Sequence, residues 1–179
     1  VLGSGDQFTV YRNDVKVNEG GKPVAMVLPI PNPTGEPNKI RMFDTSEYAK
    51  FFDDLDALFL TPDRMRGGGA FGSKGASSKS VAEVLPVLKC GPHDYSVAPT
   101  FDDLSRIDWD QFELTSEVKE VLSLNYGEGK GFGFLVCMCA ETGAYPSIGI
   151  IHPTIANGDL FLPTMHAHAG GVEGEQFAD

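Results

Sequence analysis

Long apolar runs are missing from this chain. None approaches the roughly 20 residues that a helical membrane span requires, so a bundle of such spans is excluded. Basic side chains are few: 14 Lys and Arg stand against 25 Asp and Glu, a formal net charge of -11. A general nucleic-acid binder needs a basic footprint to displace counterions, and an anionic membrane would repel so acidic a body. Neither partner fits. Cysteine is scarce, with only Cys90, Cys137 and Cys139. A small, odd number lays down no disulfide framework and suits an intracellular, reducing compartment. No basic, apolar leader opens the chain, which begins on Val1. That start suits a trimmed product, including one delivered to an organelle after loss of a targeting segment.

The common signatures of catalysis are absent too. There is no Gly-x-Ser-x-Gly elbow and no His-Glu-x-x-His. The glycine-rich stretch RMRGGGAFGSKGASSKS does not make a phosphate loop. Such a loop needs Gly-Lys-Ser/Thr opening a helix, whereas Lys74 is followed by Gly75 and Lys79-Ser80 runs into a β-like segment.

What the chain does have is length enough for one domain, 1–179, with a substantial core, and 12 Phe to fill it. The segment DQFTVYRNDVKVNEGGKPVAMVLPIPNP reads as a β-meander. Phe8 and Val10, then Val15 and Val17, alternate with polar residues at the period of a half-buried strand. Residues 24–30 are a nearly continuous apolar run, and 39–43 return as a strand. The stretch 44–59 is amphipathic: Tyr48, Phe51, Phe52, Leu55, Leu58 and Phe59 recur at spacings of three and four. Asp44, Thr45 and Ser46 offer caps. This predicts a helix at 46–59 packed on a sheet made of 24–30 and 132–140.

A Gly/Ser-rich basic loop follows at 61–80. Strands are expected at 81–89 and 95–99, a short helix or turn at 101–112, and a second helix at about 115–125. Residues 131–153 read as a hairpin turning at Glu141–Tyr145, and 159–168 as a last strand. The fold class is therefore α+β, mainly antiparallel. FTVYRN, GKPVAMVLPIPNP and KIRMF are echoed by FGFLVCMC, GAYPSIGIIHPTI and DLFLPTM, as if two three-stranded units were related.

Two clusters bear on function. Arg64, Arg66, Lys74 and Lys79 place four of the 14 basic residues within 16 positions, a local inversion of sign on an acidic body. They are a candidate interface for an acidic surface, either a second copy of the chain or another protein. The alternative reading lies in LFLPTMHAHAGG. On a strand, His166 and His168 point to the same face, about 6.5–7 Å apart. With His152 as a third ligand they would suit zinc or iron in a small hydrolase or oxygenase. No carboxylate follows at a telling offset. Gly170 stands where a histidine-triad hydrolase would carry its third histidine. Cys137 and Cys139, interleaved with Val136 and Met138, read as core.

Three blocks resemble an uncharacterised family: AMVLPIPNPTGEPNKIRMFDTSEYAKFFDDL, YSVAPTFDDLSRID and HPTIANGDLFLPTMHAHAG. In that family AMxLP, FFDDL and LFxPTxHxHxG segments recur in this order. The resemblance spans most of residues 24–171. It implies no activity and transfers no catalytic residue. In that family further His-bearing sequence follows the last block, so the ending EGEQFAD implies a truncated C-terminus. A fainter resemblance, to shell proteins around algal pyrenoids, implies assembly. The expectation is a non-catalytic structural or interaction protein without a cofactor, working in a homo-oligomer or larger scaffold.

Overall fold

The computed structural model describes residues 5–12, 14–15, 24–59, 84–108, 116–139, 143–144, 147–155 and 158–162. Its strands are β1 (Asp6–Tyr11), β2 (Asp14–Val15), β3 (Val24–Pro31), β4 (Arg41–Phe43), β5 (Leu88–Cys90), β6 (His93–Ala98), β7 (Phe132–Cys139), β8 (Gly143–Ala144) and β9 (Ile148–Pro153). The helices are α1 (Phe51–Phe59) and α2 (Ser116–Tyr126), with 3₁₀ turns at Ser46–Tyr48 and Asp102–Arg106. The α+β class expected from sequence is what the chain adopts. No helix among these residues is long and apolar enough to cross a membrane.

Two antiparallel sheets carry the structure. One has the order β1-β9-β4 and the other β3-β7-β6-β5, while β2 and β8 form a small bridge. Their pairing departs from the two local motifs expected. β7 and β9 are not the arms of one hairpin: β7 lies between β3 and β6, and β9 between β1 and β4. Likewise β1 does not pair with β3. Instead three stretches pair antiparallel in succession: Asp6–Tyr11 with Ile148–Pro153, Asp14–Val15 with Gly143–Ala144, and Val24–Pro31 with Phe132–Cys139. The leading segment, 6–31, and the trailing one, 132–153, each start in one sheet and finish in the other. The first strand of the leading segment thus pairs with the last of the trailing one, β1 with β9, and β3 pairs with β7. Alternation specifies a strand and the face it buries, but not which strand it meets.

Alternation along β7 divides the core in two. Leu135 and Cys137 point into a cluster with Leu28, Ile30, Ile40, Tyr95, Ile148 and Ile150, which fills the space between the two sheets. Phe134 and Val136 point the other way, onto Leu85, Ala98, Leu104, Ile107 and Leu122. That second layer joins the four-stranded sheet to α2 and the Asp102–Arg106 turn. The backbone N–H of Leu85 donates to the Arg106 carbonyl at 2.8 Å and pins the approach to β5 onto that turn.

The helix that covers a sheet is thus α2, and α1 does not take the expected core position. Helical geometry begins only at Phe51, after the 3₁₀ turn whose Ser46 N–H is held by Asp44 Oδ1 at 2.8 Å. None of its residues is buried. Tyr48, Leu55, Leu58 and Phe59 are 53%, 37%, 79% and 78% exposed, and Phe51 and Phe52 are half-buried. The apolar period identified the stripe correctly. The sheet face assigned to it is already covered by α2, Leu104 and Ile107.

Candidate functional site

The basic residues Arg64, Arg66, Lys74 and Lys79 lie outside the described residues, as do His166 and His168. Of the sequence candidates the structure places His152, Cys90, Cys137, Cys139 and the α1 stripe.

His152 lies on β9, fully buried. Its register partner is Gln7, and Thr9 pairs with Ile150, so Gln7, Thr9, Ile150 and His152 share the inner face of the three-stranded sheet. Both ring nitrogens are engaged. Nδ1 lies 2.7 Å from the Pro153 carbonyl, which can only accept, so Nδ1 carries the proton. Nε2 then accepts from the Thr9 hydroxyl at 2.9 Å. The Thr9 oxygen in turn accepts from Gln7 Nε2, also at 2.9 Å. Gln7 completes the row by gripping the backbone of Phe161 twice: Nε2 donates to its carbonyl at 2.6 Å and Oε1 accepts from its N–H at 2.8 Å. Burial pushes the His152 imidazole below its ordinary pKa, against the opposing pull of the Pro153 carbonyl and Asp6. The ring is therefore neutral at pH 7. A metal bound at Nε2 would have to displace Thr9.

Alternation in the sequence predicts Phe8 and Val10 on the buried side of β1. The structure inverts this. Gln7 and Thr9 are 4% and 5% exposed, whereas Phe8 is 49% exposed. The polar residues go inside because His152 and the Phe161 backbone satisfy them, as buried polar groups require. Outside, Phe8 stacks on Phe43 with ring centroids 4.1 Å apart. The ring of Phe43 lies over Gly149, where a side chain would collide with it. The sequence clue to Gln7 and Thr9 was their shared parity on β1; their partners Phe161 and His152 lie 154 and 143 positions away.

A second cluster forms where the end of β4 meets the β5–β6 turn. Cys90 and His93 are register partners across Gly91-Pro92, and Asp44 packs on Gly91. The Ser46 N–H, then the Ser46 side chain, and more weakly His93, hold Asp44 below the usual carboxylate range. Burial, then Asp44, push the Cys90 thiol up. A nucleophilic cysteine needs the opposite shift. This juxtaposition of Cys, His and Asp therefore lacks an activated nucleophile. Cys137 and Cys139 are buried free thiols, as read from sequence. Burial, then its thiol neighbours, drive Cys137 far above the usual thiol range, and burial takes Cys139 to about 11. Among the described residues, no group of three or more His, Cys, Asp and Glu has metal-site geometry.

The remaining feature is α1. At about 3.6 residues per turn, Phe51, Phe52, Leu55, Leu58 and Phe59 form one stripe, bordered by Asp54 on one side and Asp56 on the other. Asp53, on the back of the helix, ties α1 to the end of β1 through an ion pair with Arg12 at 3.1 Å. The Tyr48 hydroxyl donates to Asp54 at 3.0 Å. Tyr48, Phe51 and Phe52 form consecutive edge-to-face ring pairs. The back of the helix carries the exposed Arg12–Asp53 ion pair, and the front is apolar and bordered by acid.

No protein-family model matches the sequence, and no solved structure gives a significant match to the fold.

Proposed function

We propose that this protein is a non-catalytic structural or interaction protein that works in an assembly, through contacts with copies of itself or with another protein surface. The observation that carries this reading is the exposed front of α1. Leu55, Leu58 and Phe59 on α1, and Tyr48 on the turn before it, are open to solvent, so this part of the stripe contributes little burial in a monomer. Contiguous apolar surface of this kind, rimmed by charge, marks interaction sites. The placed chemistry supports the same reading. His152 uses both nitrogens in the fold, Cys90 is held protonated, and the remaining thiols are core. A reducing compartment suits three free thiols. The resemblance to shell-forming proteins points the same way.

The test is sedimentation velocity of the untagged chain across a concentration series. Association that rises with concentration, and is lost on Leu58→Ser with Phe59→Ser while the circular dichroism spectrum is retained, is the expected result. A chain that stays monomeric at high concentration and low salt overturns self-association. Elemental analysis of the same sample tests the alternative: stoichiometric zinc or iron, lost on His166→Ala with His168→Ala, would move the reading to a metal-dependent enzyme.

A further inference from the structure

The strongest unassigned surface is the front of α1, and its charge restricts what can cover it. Residues 44–59 carry five acidic side chains, Asp44, Glu47, Asp53, Asp54 and Asp56, against the single base Lys50. Arg12 already holds Asp53 from behind. Asp54 and Asp56 border the apolar stripe on its two sides. A second α1 laid against this face would bring like charges together at both borders, which disfavours a symmetric helix pair. The occupant must be cationic at its flanks and able to offer apolar contact between them. The chain has one such segment. Residues 64–79, RMRGGGAFGSKGASSK, carry Arg64, Arg66, Lys74 and Lys79 with no acidic residue, and include Met65 and Phe71. The other ten basic side chains are spread through an acidic sequence.

We propose that the front of α1 is the receptor for residues 64–79 of a second copy, with the four cations against Asp54, Asp56 and Glu47 and the apolar side chains of the segment against Leu55, Leu58 and Phe59. This rests on the assembly reading above and names the surfaces that perform it. Receptor and ligand are different parts of the same chain, so the contact is heterologous. Repetition of such a contact closes a ring or extends a filament, rather than stopping at a two-fold dimer.

The test uses two full-length variants. In the first, Asp54→Lys and Asp56→Lys reverse the receptor and leave the segment intact; Asp53 is kept so that the ion pair with Arg12 survives. In the second, Arg64→Glu, Arg66→Glu, Lys74→Glu and Lys79→Glu reverse the segment and leave α1 intact. Each variant is first checked for native thermal unfolding and circular dichroism. Each alone is expected to be monomeric under conditions where the parent assembles. Mixed in equal amounts they are expected to associate again, because each reversed surface then meets its complement. Particles of parental size in either single variant would overturn the proposal and leave assembly through another surface standing. Single variants that stay monomeric even when mixed would overturn it in favour of a contact made within one chain. A parent that is itself monomeric would remove both this proposal and the reading beneath it. If the receptor variant fails to fold, Asp54→Asn with Asp56→Asn serves in its place, with weakened rather than abolished association expected; unaltered association would again overturn the proposal.

Discussion

The hydroxyl of Thr9 and the Nε2 atom of His152 lie 2.9 Å apart across β1 and β9, and both side chains are buried. With Nδ1 donating to Pro153, Thr9 is the donor that Nε2 has among the described residues. Replacing Thr9 with Val leaves that nitrogen buried without one, and unfolding free energy is expected to drop by about 1–3 kcal/mol. Urea denaturation at pH 7.5 measures this directly. Ala at Thr9 should cost at least as much, since it also opens space.

The same row predicts a dependence on pH. Burial lowers the folded-state pKa of His152 below its ordinary 6.5. Above that value the ring is neutral in both states and its contribution is constant. As pH falls through 6.5 the unfolded chain takes up a proton first, so the folded state loses stability until pH reaches the folded pKa. Denaturation midpoints should therefore decline between pH 7.5 and 5.5. The decline should be shallower in His152→Gln, which has no proton to gain. Equal slopes in the two proteins would assign the effect to other groups.

Phe134 and Leu58 offer a contrast between core and surface. Phe134 is fully buried, between β7 and the α2 layer, and Phe134→Ala is expected to cost about 3–5 kcal/mol. Leu58 is 79% exposed, and Leu58→Ala should change the stability of the isolated chain by no more than about 0.5 kcal/mol. A large loss at Leu58 under monomeric conditions would mean that its stripe is covered within the chain.

Gly149 should tolerate no side chain while Phe43 is present. A methyl group there meets the Phe43 ring, so Gly149→Ala is expected to destabilise by about 1–3 kcal/mol. Most of that cost should vanish in a Phe43→Ala background. A double-mutant cycle reads the coupling.

Salt should act on assembly rather than on the fold. Exposed charges are screened beyond about 8–10 Å near physiological ionic strength. Sedimentation of the parent chain is expected to shift towards the monomer as salt rises, while thermal unfolding of the monomer changes little. A parent whose association strengthens with salt would indicate a contact dominated by apolar burial.

Local chemistry was legible in the sequence wherever it depended on neighbours a few positions away. The β9 run IGIIHP, the amphipathic stripe of α1 and the core character of Cys137 and Cys139 all follow from side-chain period and type. So did the α+β class, because alternating segments with two helical ones admit few other layers. Partnership between distant segments was not legible. Alternation in β1 is equally satisfied with Phe8 inside or Gln7 inside, since a face has no sign until something packs on it. Only the arrival of His152, 143 positions later, makes the inner face polar at that end. A turn-rich connection between β7 and β9 permits a hairpin and equally a crossing from one sheet to the other. The crossing wins here because β3 and β6 flank β7, and β1 and β4 flank β9. The helix stripe shows the same division. Sequence determined that α1 has an apolar face, from the 3.6-residue period. Tertiary structure decided that this face looks outward, because α2 and the Asp102–Arg106 turn had already covered the sheet it would have needed.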